Sequence, residues 1–563
     1  MAFTYDNPFG RENVYGHSVD LLRRLVSTSA PGAVHLDVGC GFGAIAPSIR
    51  AMGLHYVGVD LDTDGLERLK EQGFEAHKLE LTNADETHRA LNAVLAGRRL
   101  ASITILDTLE HVLSPLDVMR ALRKLASQDS VPIIISVPNI THTEIAVRMV
   151  TGKFDYTLDG VLDHTHIVNF SPSTLHRMAR QAGLVEVEAF DTKVVEAYRN
   201  MHQDKNALSL CTSFYSLVSY IRGNADETAT SYQLVRAFVP GPAHEDNPWF
   251  VEPSKQPDRP FLTIVIRTIG TETFTLRDTL ACLAGQSCLD FDVLLMGHKL
   301  DRQRQIAVEE VLQDQPDFLR QRINFALVNE GGRSRPLNVA YKTANGRYIV
   351  TLDDDDLVFG NYVETFRKMY DAKPGRLLRA RCGVQTARKS YVDGGGPAAI
   401  STGPVEPKYP ADFNLLDHLR DNFTPCMSVA YPREVVHNFG QEFDESLSTA
   451  EDWDFMMRSY FLVGIATSPE ITSIYRRWED KPTSAQAHAQ EEWLTNRSII
   501  IQKHDALPVI LSAGTLKELR SFYEAALTQG FAVSAEPQSA TISRLHTRIR
   551  RKLGRIKARL LQI

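Results

Sequence analysis

The run RYIVTLDDDDLVF at residues 347–359 sets four adjacent carboxylates directly behind a short apolar stretch. Ile349, Val350 and Leu352 predict a buried strand. Asp353, Asp354, Asp355 and Asp356 repel one another at its end, so something positive is expected to meet them there. An ordinary acidic surface turn would leave four like charges unpaired behind a buried strand. Far upstream, residues 36–46 read LDVGCGFGAIA, a pattern of another kind.

Two such patterns fit the length. At 563 residues the chain exceeds one ordinary core and predicts two domains. The stretch VPGPAHEDNPWFVEPSKQPDRP is rich in proline and charge and poor in periodic apolar residues, which predicts a linker over 239–260. On both sides of it short apolar runs alternate with amphipathic stretches, the pattern of α/β units. The expected domains are 1–238 and 261–510, followed by a helical region at 511–563. No apolar run approaches the roughly 20 residues that span a bilayer, and MAFTYDNPFGREN lacks a signal-peptide core. The six cysteines are scattered, and Cys282 and Cys288, the closest pair, have no matching second pair. Neither a zinc site nor a disulfide framework is indicated, and a reduced, cytoplasmic protein is expected.

In the first half, a strand pattern at Val34–Val38 leads through Gly39, Gly41 and Gly43 into a helix. Glycines there let the backbone approach a ligand closely, and the helix start offers unpaired N–H groups. Further on, YVGVDLD ends a second strand at Asp60, whose carboxylate can accept both hydroxyls of a ribose. The spacing is G-x-G-x-G and not the dinucleotide G-x-G-x-x-G, which argues against NAD. LDVGCGFG, GVDLD and ILDTLEHVLSP resemble the motifs of class I S-adenosylmethionine-dependent methyltransferases. The resemblance implies a Rossmann-like fold that binds S-adenosyl-L-methionine. It places Asp37, Gly39, Gly41 and Gly43 around the cofactor, Asp60 on its ribose and Glu80 of HKLELT near its adenine. LDHTHIVNFSPSTLHRMARQAGL at 162–184 resembles the segment after the fifth strand in the sugar and small-molecule branch.

Methyl transfer to a hydroxyl profits from a base with a pKa near neutrality, for which histidine is the usual choice. His111 in LEHV faces the cofactor pocket if the family pattern holds, and His164 and His166 follow in the later loop. Each has a plain alternative, as a hydrogen-bonding or loop-orienting residue. Tyr5, Tyr15 and His17 can close over the cofactor or simply pack.

In the second half, PFLTIVIRTIG starts a strand, and the order strand, helix, strand, glycine turn, helix, strand, acid cluster follows. This order resembles the family 2 glycosyltransferases with a GT-A fold, over about residues 260–500. The resemblance implies transfer of a sugar from a nucleotide sugar, with inversion, and makes the positive partner a divalent cation that bridges the donor's diphosphate. Hard oxygen ligands suit Mg²⁺ or Mn²⁺. Asp355 becomes the expected metal ligand, with Asp353 as a second ligand or a ribose contact; Asp354 contacts the donor or, like Asp356, supports the turn. The pair Glu451 and Asp452 in STAEDWDF resembles the family's E-D motif at a helix start, with Asp452 as base and Glu451 orienting the acceptor.

Departures from the family pattern matter. Arg267 stands in VIRTIG where many members have proline, and is an expected contact to the diphosphate or the base; LLMGHKL lacks the aspartate that often reads uracil, which leaves UDP- and TDP-linked donors equally open. Arg333 and Asn338 flank the glycine turn, and Arg476 in IYRRWED is a candidate diphosphate clamp or a surface ion pair.

The chain closes on ISRLHTRIRRKLGRIKARLLQI, with an apolar stripe from Ile542 to Leu560 and eight lysines or arginines on the other faces. Such a helix can lie on an anionic membrane surface, pack on its own domain or pair in an oligomer. No base-stacking motif accompanies it, so nucleic acid is not an expected partner. The expectation is a bifunctional α/β enzyme of surface-glycan synthesis. It would act on a glycan acceptor, lipid-linked, and methylate a sugar hydroxyl, in the cytoplasm or at the inner face of the membrane. Two alternatives stay open: a methyltransferase-like half that only binds, or a tail-anchored scaffold with neither activity.

Overall fold

The computed structural model describes residues 8–26, 32–193, 212–251, 258–391, 396–479, 490–511 and 513–528. Tyr5 and the basic stretch 542–560 lie outside these residues. The chain divides into two units, one to Val509 and one from Ile510. The second contains the described helix Thr515–Thr528. Among the described residues no helix is long and apolar enough to cross a membrane.

The first unit holds two sheets. The first is built from β1 (Val34–Val38), β2 (His55–Asp60), β3 (Glu75–Lys78), β4 (Leu100–Leu106), β5 (Ile133–Pro138), β6 (Leu184–Ala189) and β7 (Gln233–Pro240), in the order β3-β2-β1-β4-β5-β7-β6. All pairs are parallel except those made by β7. Every residue of β1 and β4 is buried, as expected for central parallel strands covered on both faces. Buried polar groups therefore need partners. His35 lies between Ser102 at 2.8 Å and Thr104 at 3.0 Å, and burial lowers it to about 3, so the ring is neutral.

β7 runs into the stretch expected as a linker, and the next residues stay on this sheet. The Gly241 amide donates to the Gly183 carbonyl, the Trp249 amide donates to Gln181 Oε1 at 3.1 Å, and the Trp249 ring packs on the core. β7 thus runs past the boundary expected at 239, where Val239 and Pro240 pair with Val185 and Leu184.

The second sheet comprises β8 (Leu262–Thr268), β9 (Phe291–His298), β10 (Ile323–Val328), β11 (Tyr348–Asp353), β12 (Leu357–Val358), β13 (Leu377–Tyr391), β14 (Pro397–Ser401), β15 (Val429–Pro432) and β16 (Ile465–Trp478). Its order is β10-β9-β8-β11-β15-β13-β16-β12, with β14 on β13. β10, β9, β8 and β11 are parallel, and Asp353 pairs in register with Arg267.

The helix Glu451–Val463 follows Ala450, a non-glycine residue held at φ +59. A buried ion network fixes it. Asp454, fully buried, accepts from Arg458 at 2.7 and 2.9 Å and from Lys503 of the helix Gln490–Asp505 at 2.9 Å. Asp454→Ala should lower stability by about 3–5 kcal/mol, because it leaves the buried Arg458 guanidinium without its carboxylate; chemical denaturation followed by circular dichroism measures this.

Candidate active sites

The first site lies where the strand order reverses, between β1 and β4, the place where open α/β sheets bind ligands. A cavity of about 1600 Å³ is lined there by Asp37, Gly39, Gly41, Asp60, Glu80 and His111, among others. Gly39 sits at φ +70, and a Cβ on it would come within 2.1 Å of Thr108 Oγ1. Asp60 accepts the amides of Gly41 at 2.7 Å and Asp62 at 2.8 Å, so it shapes the loop as well as the cavity wall. Asp37 is buried beneath the loop, where it accepts from the hydroxyls of Tyr56 at 2.7 Å and Thr104 at 2.6 Å. Burial lifts it to about 6. Glu80 is exposed at the rim. Gly43, expected at the ligand, lies behind the wall instead: a Cβ there would meet Leu69 at 2.2 Å, so this glycine serves packing.

Across the cavity stand Glu110, His111 and His166. Glu110 is 1% exposed, and neither carboxylate oxygen has a hydrogen-bond partner. Burial, together with the Asp107 charge, pushes it well above the carboxylate range. His111 Nδ1 lies 3.3 Å from the Thr165 carbonyl and 3.2 Å from Thr165 Oγ1, and that hydroxyl donates to buried Asp163 at 2.7 Å. The His166 ring meets His111 edge-on at 4.9 Å, and burial lowers both histidines. Ligand atoms of Glu110, His111 and His166 lie within 4.8 Å of one another, so the trio could hold a cation as well as handle a proton. His164 faces outward and lies 3.3 Å from Asp163. His17 stacks on Phe190 at 4.1 Å, a packing role, whereas Tyr15 lines the cavity. Glu110, Thr165 and Asp163 carried no sequence signal of their own, though each lies in a quoted motif.

The second site lies at the carboxyl ends of β8 and β11. Arg267 Nη1 donates to the Arg333 carbonyl at 2.7 Å, Nη2 lies 3.5 Å from Asp353, and Nη1 lies 3.9 Å from Glu451. Arg333 Nε stands 2.7 Å from Glu451 Oε1. The chain thus supplies cations of its own to the acid cluster. Burial also weakens the repulsion by favouring protonation: it lifts Asp354 to about 7 and Asp355 to about 6, and fully buried Asp356 well above the usual range. Asp356 Oδ1 accepts the Arg476 amide at 2.8 Å, while Oδ2 has no hydrogen-bond partner. Trp478 Nε1 donates to Asp355 at 2.9 Å.

Asp452 accepts its neighbour's amide, from Trp453, at 2.8 Å through Oδ1 and the Asn422 carboxamide at 3.1 Å through Oδ2. Burial, with Glu451 adjacent, raises its carboxyl above the usual range, the condition of a proton acceptor near neutrality. Ala450, held in the left-handed region, immediately precedes this pair. Arg476 Nη2 pairs with Asp278 at 2.8 Å, while Nη1 is buried without a hydrogen-bond partner. Asn338 departs from expectation. Its Oδ1 accepts the Phe443 amide at 2.8 Å, and its Nδ2 donates to the Phe443 carbonyl at 2.9 Å and to Glu445 at 3.0 Å. With both of its N–H groups donated and its side chain buried, Asn338 positions the loop before Glu451. Sequence reading missed Trp478, Asn422 and Cys426, whose Sγ lies 3.6 Å from Asp353.

Residues 11–189 match the family described as a methyltransferase domain. Among curated proteins the chain is similar to ubiquinone biosynthesis O-methyltransferases. That of Thiobacillus denitrificans is 29% identical over 30% of this chain and 72% of its own length. That of Aeromonas salmonicida is 29% identical over 27% and 62%, and that of Haemophilus ducreyi 31% identical over 23% and 55%. The chain therefore spans under two thirds of the latter two. Among solved structures, Staphylococcus aureus TarS 1–349 in complex with UDP-GlcNAc is 18% identical, with a TM-score of 0.32, over 43% of this chain and 65% of that one. The Synechocystis magnesium protoporphyrin IX methyltransferase with bound SAH is 12% identical, with a TM-score of 0.27, over 41% and 84%. The glycine loop and Asp60 lie within the residues that match this methyltransferase-domain family.

Proposed function

We propose that this chain is a bifunctional transferase, methylating a hydroxyl through its first sheet and transferring a sugar from a nucleotide sugar through its second. The observation that carries this is a repeated arrangement: each sheet sets an acid-bearing strand end, Asp60 or Asp353, at a site that also holds a separate proton-accepting group, His111 in the cavity Asp60 lines and Asp452 within reach of the Asp353 charge. The curated relatives are O-methyltransferases by name, which supports oxygen as the atom methylated.

In the first site the cavity, walled by Gly39 and Gly41, fits S-adenosyl-L-methionine, which supplies the methyl group when bound. Asp60 holds the ribose while keeping the loop in shape, and Glu80 stands at the rim. His111, oriented by Thr165, takes the proton that leaves the acceptor hydroxyl. In the intact chain Asp60→Ala should weaken S-adenosylmethionine by about 1.5–3 kcal/mol, the range of hydrogen bonds to charged groups. Calorimetry tests this, and no heat of binding in the parent would refute the reading.

In the second site the donor set is hard oxygen, from Asp355 and Asp353, and one buried carboxylate oxygen, on Asp356, has no hydrogen-bond partner, which fits Mg²⁺ or Mn²⁺. When bound, the cation neutralises the departing diphosphate. Arg267 and Arg333 add positive charge beside the donor, and Arg476 stands behind the acids. Asp452 takes the acceptor's proton, and Glu451, held by Arg333, orients the acceptor. We read the acceptor as a glycan, and the domain division as a methyltransferase at the N-terminus followed by a glycosyltransferase.

A further inference from the structure

Asp452 does not stand alone. The loop at 421–428 follows the helix Leu415–Arg420 and crosses the second site, touching both of its acid centres. At one end Asn422 Nδ2 lies 3.1 Å from Asp452 Oδ2; at the other Cys426 Sγ lies 3.6 Å from Asp353 Oδ2. Two buried side chains hold the loop. Arg379, 1% exposed, donates to Thr424 Oγ1 at 2.9 Å and to the carbonyls of Pro410 and Ala411 at 2.8 and 3.0 Å. His418, fully buried, meets the same Thr424 hydroxyl at 2.9 Å, and its carbonyl accepts the Trp453 indole N–H at 2.7 Å. Trp453 is the residue after Asp452, so the loop and the start of the helix Glu451–Val463 are tied together.

The direction of the Asn422 amide follows from this anchoring. The Thr424 amide donates to Asn422 Oδ1 at 3.0 Å, so the oxygen must face Thr424 and the NH₂ must face Asp452.

We propose that Asn422 is a positioning residue for the base Asp452, whose Oδ2 it holds by an N–H donor locked in direction by Thr424, so that the carboxylate is both aimed and kept ready to accept a proton. The inference rests on the reading of Asp452 as base. The other groups around Asp452 act in mixed directions. Glu451 and Asp353 disfavour its charge and Arg333 favours it, while the Cys426 thiol and the Tyr431 phenol also face it. With the Trp453 amide donating to Oδ1, Asn422 is the neutral side-chain donor, on Oδ2, and a donor to the charged form lowers a carboxyl's pKa. Removing it raises that pKa, shrinks the base-competent fraction near neutrality, and moves the acid limb of the rate profile to higher pH.

The test uses the full chain and two variants. Asn422→Asp keeps the volume and the acceptor for Thr424 but loses the donor; Asn422→Ala loses both without adding charge. Carbon-13 carboxyl labelling of aspartate follows Asp452 directly, its signal being the one absent from Asp452→Asn. Nucleoside diphosphate release is measured against pH with a panel of UDP- and TDP-sugars and Mn²⁺. Expected is an Asp452 titration about one pH unit higher in Asn422→Ala and higher again in Asn422→Asp. The acid limb of kcat should follow, and donor KM should stay within about twofold. An Asp452 titration at the parent's pH in both variants would overturn the proposal. A shifted titration with full turnover in Asp452→Asn would uphold the contact and overturn the base role beneath it.

Discussion

Asp452→Asn should bind donor close to normally while glycosyl turnover falls by ~10²–10⁴, the usual share of general-base catalysis. The substitution keeps the size of the side chain but removes its capacity to take a proton. Its single carbonyl oxygen can still accept from the Trp453 amide or from Asn422, though not from both in the present arrangement. Folding should change little, because the one lost hydrogen bond is offset by the removal of a buried charge. The buried carboxyl has its pKa raised, so its charge at neutral pH disfavours the folded state, and a neutral amide relieves that cost. A thermal midpoint at or above the parent's would therefore separate lost chemistry from lost structure. Donor affinity and turnover measured on one preparation decide the matter. Lost donor binding would make Asp452 a structural residue, and unaltered turnover would remove it from the mechanism.

Asp355→Ala should abolish metal-dependent donor binding and glycosyl transfer while leaving methylation intact. Asp355 accepts the Trp478 indole N–H through Oδ2, and the Asp353 charge acts on it. Arg267 and Arg333 remain in the variant, so any surviving affinity would measure what the protein's own cations contribute. Excess chelator on the parent chain should reproduce the variant. Full transfer in chelator would show that the arginines alone carry the diphosphate's charge.

The strand ends were readable because each is local. An apolar run followed by glycines or acids marks the end of β1, β2 and β11 within a few residues, and the acid pair at 451–452 stands at a helix start where the dipole favours it. What was not readable is what comes from far along the chain. The Trp478 indole reaches Asp355 from another strand, Arg333 reaches Glu451 from the glycine turn, and Asn422 reaches Asp452 from a loop. Asn338 shows the converse error. Its place beside the glycine turn suggested a ligand contact, but its partners at Phe443 and Glu445 lie more than a hundred residues away and take both of its N–H groups. The proline and charge after residue 239 hid the end of β7, whose antiparallel pairing with β5 and β6 no local pattern announced.

The most direct measurement is a calorimetric titration of the intact chain, first with S-adenosylmethionine and then with UDP- and TDP-sugars in the presence of Mn²⁺. Two independent sites are expected, each binding one ligand per chain: the first lost in Gly39→Val and kept in Asp355→Ala, the second the reverse. Binding of only one ligand class, or loss of both in either variant, would contradict two separate transferase sites in this protein.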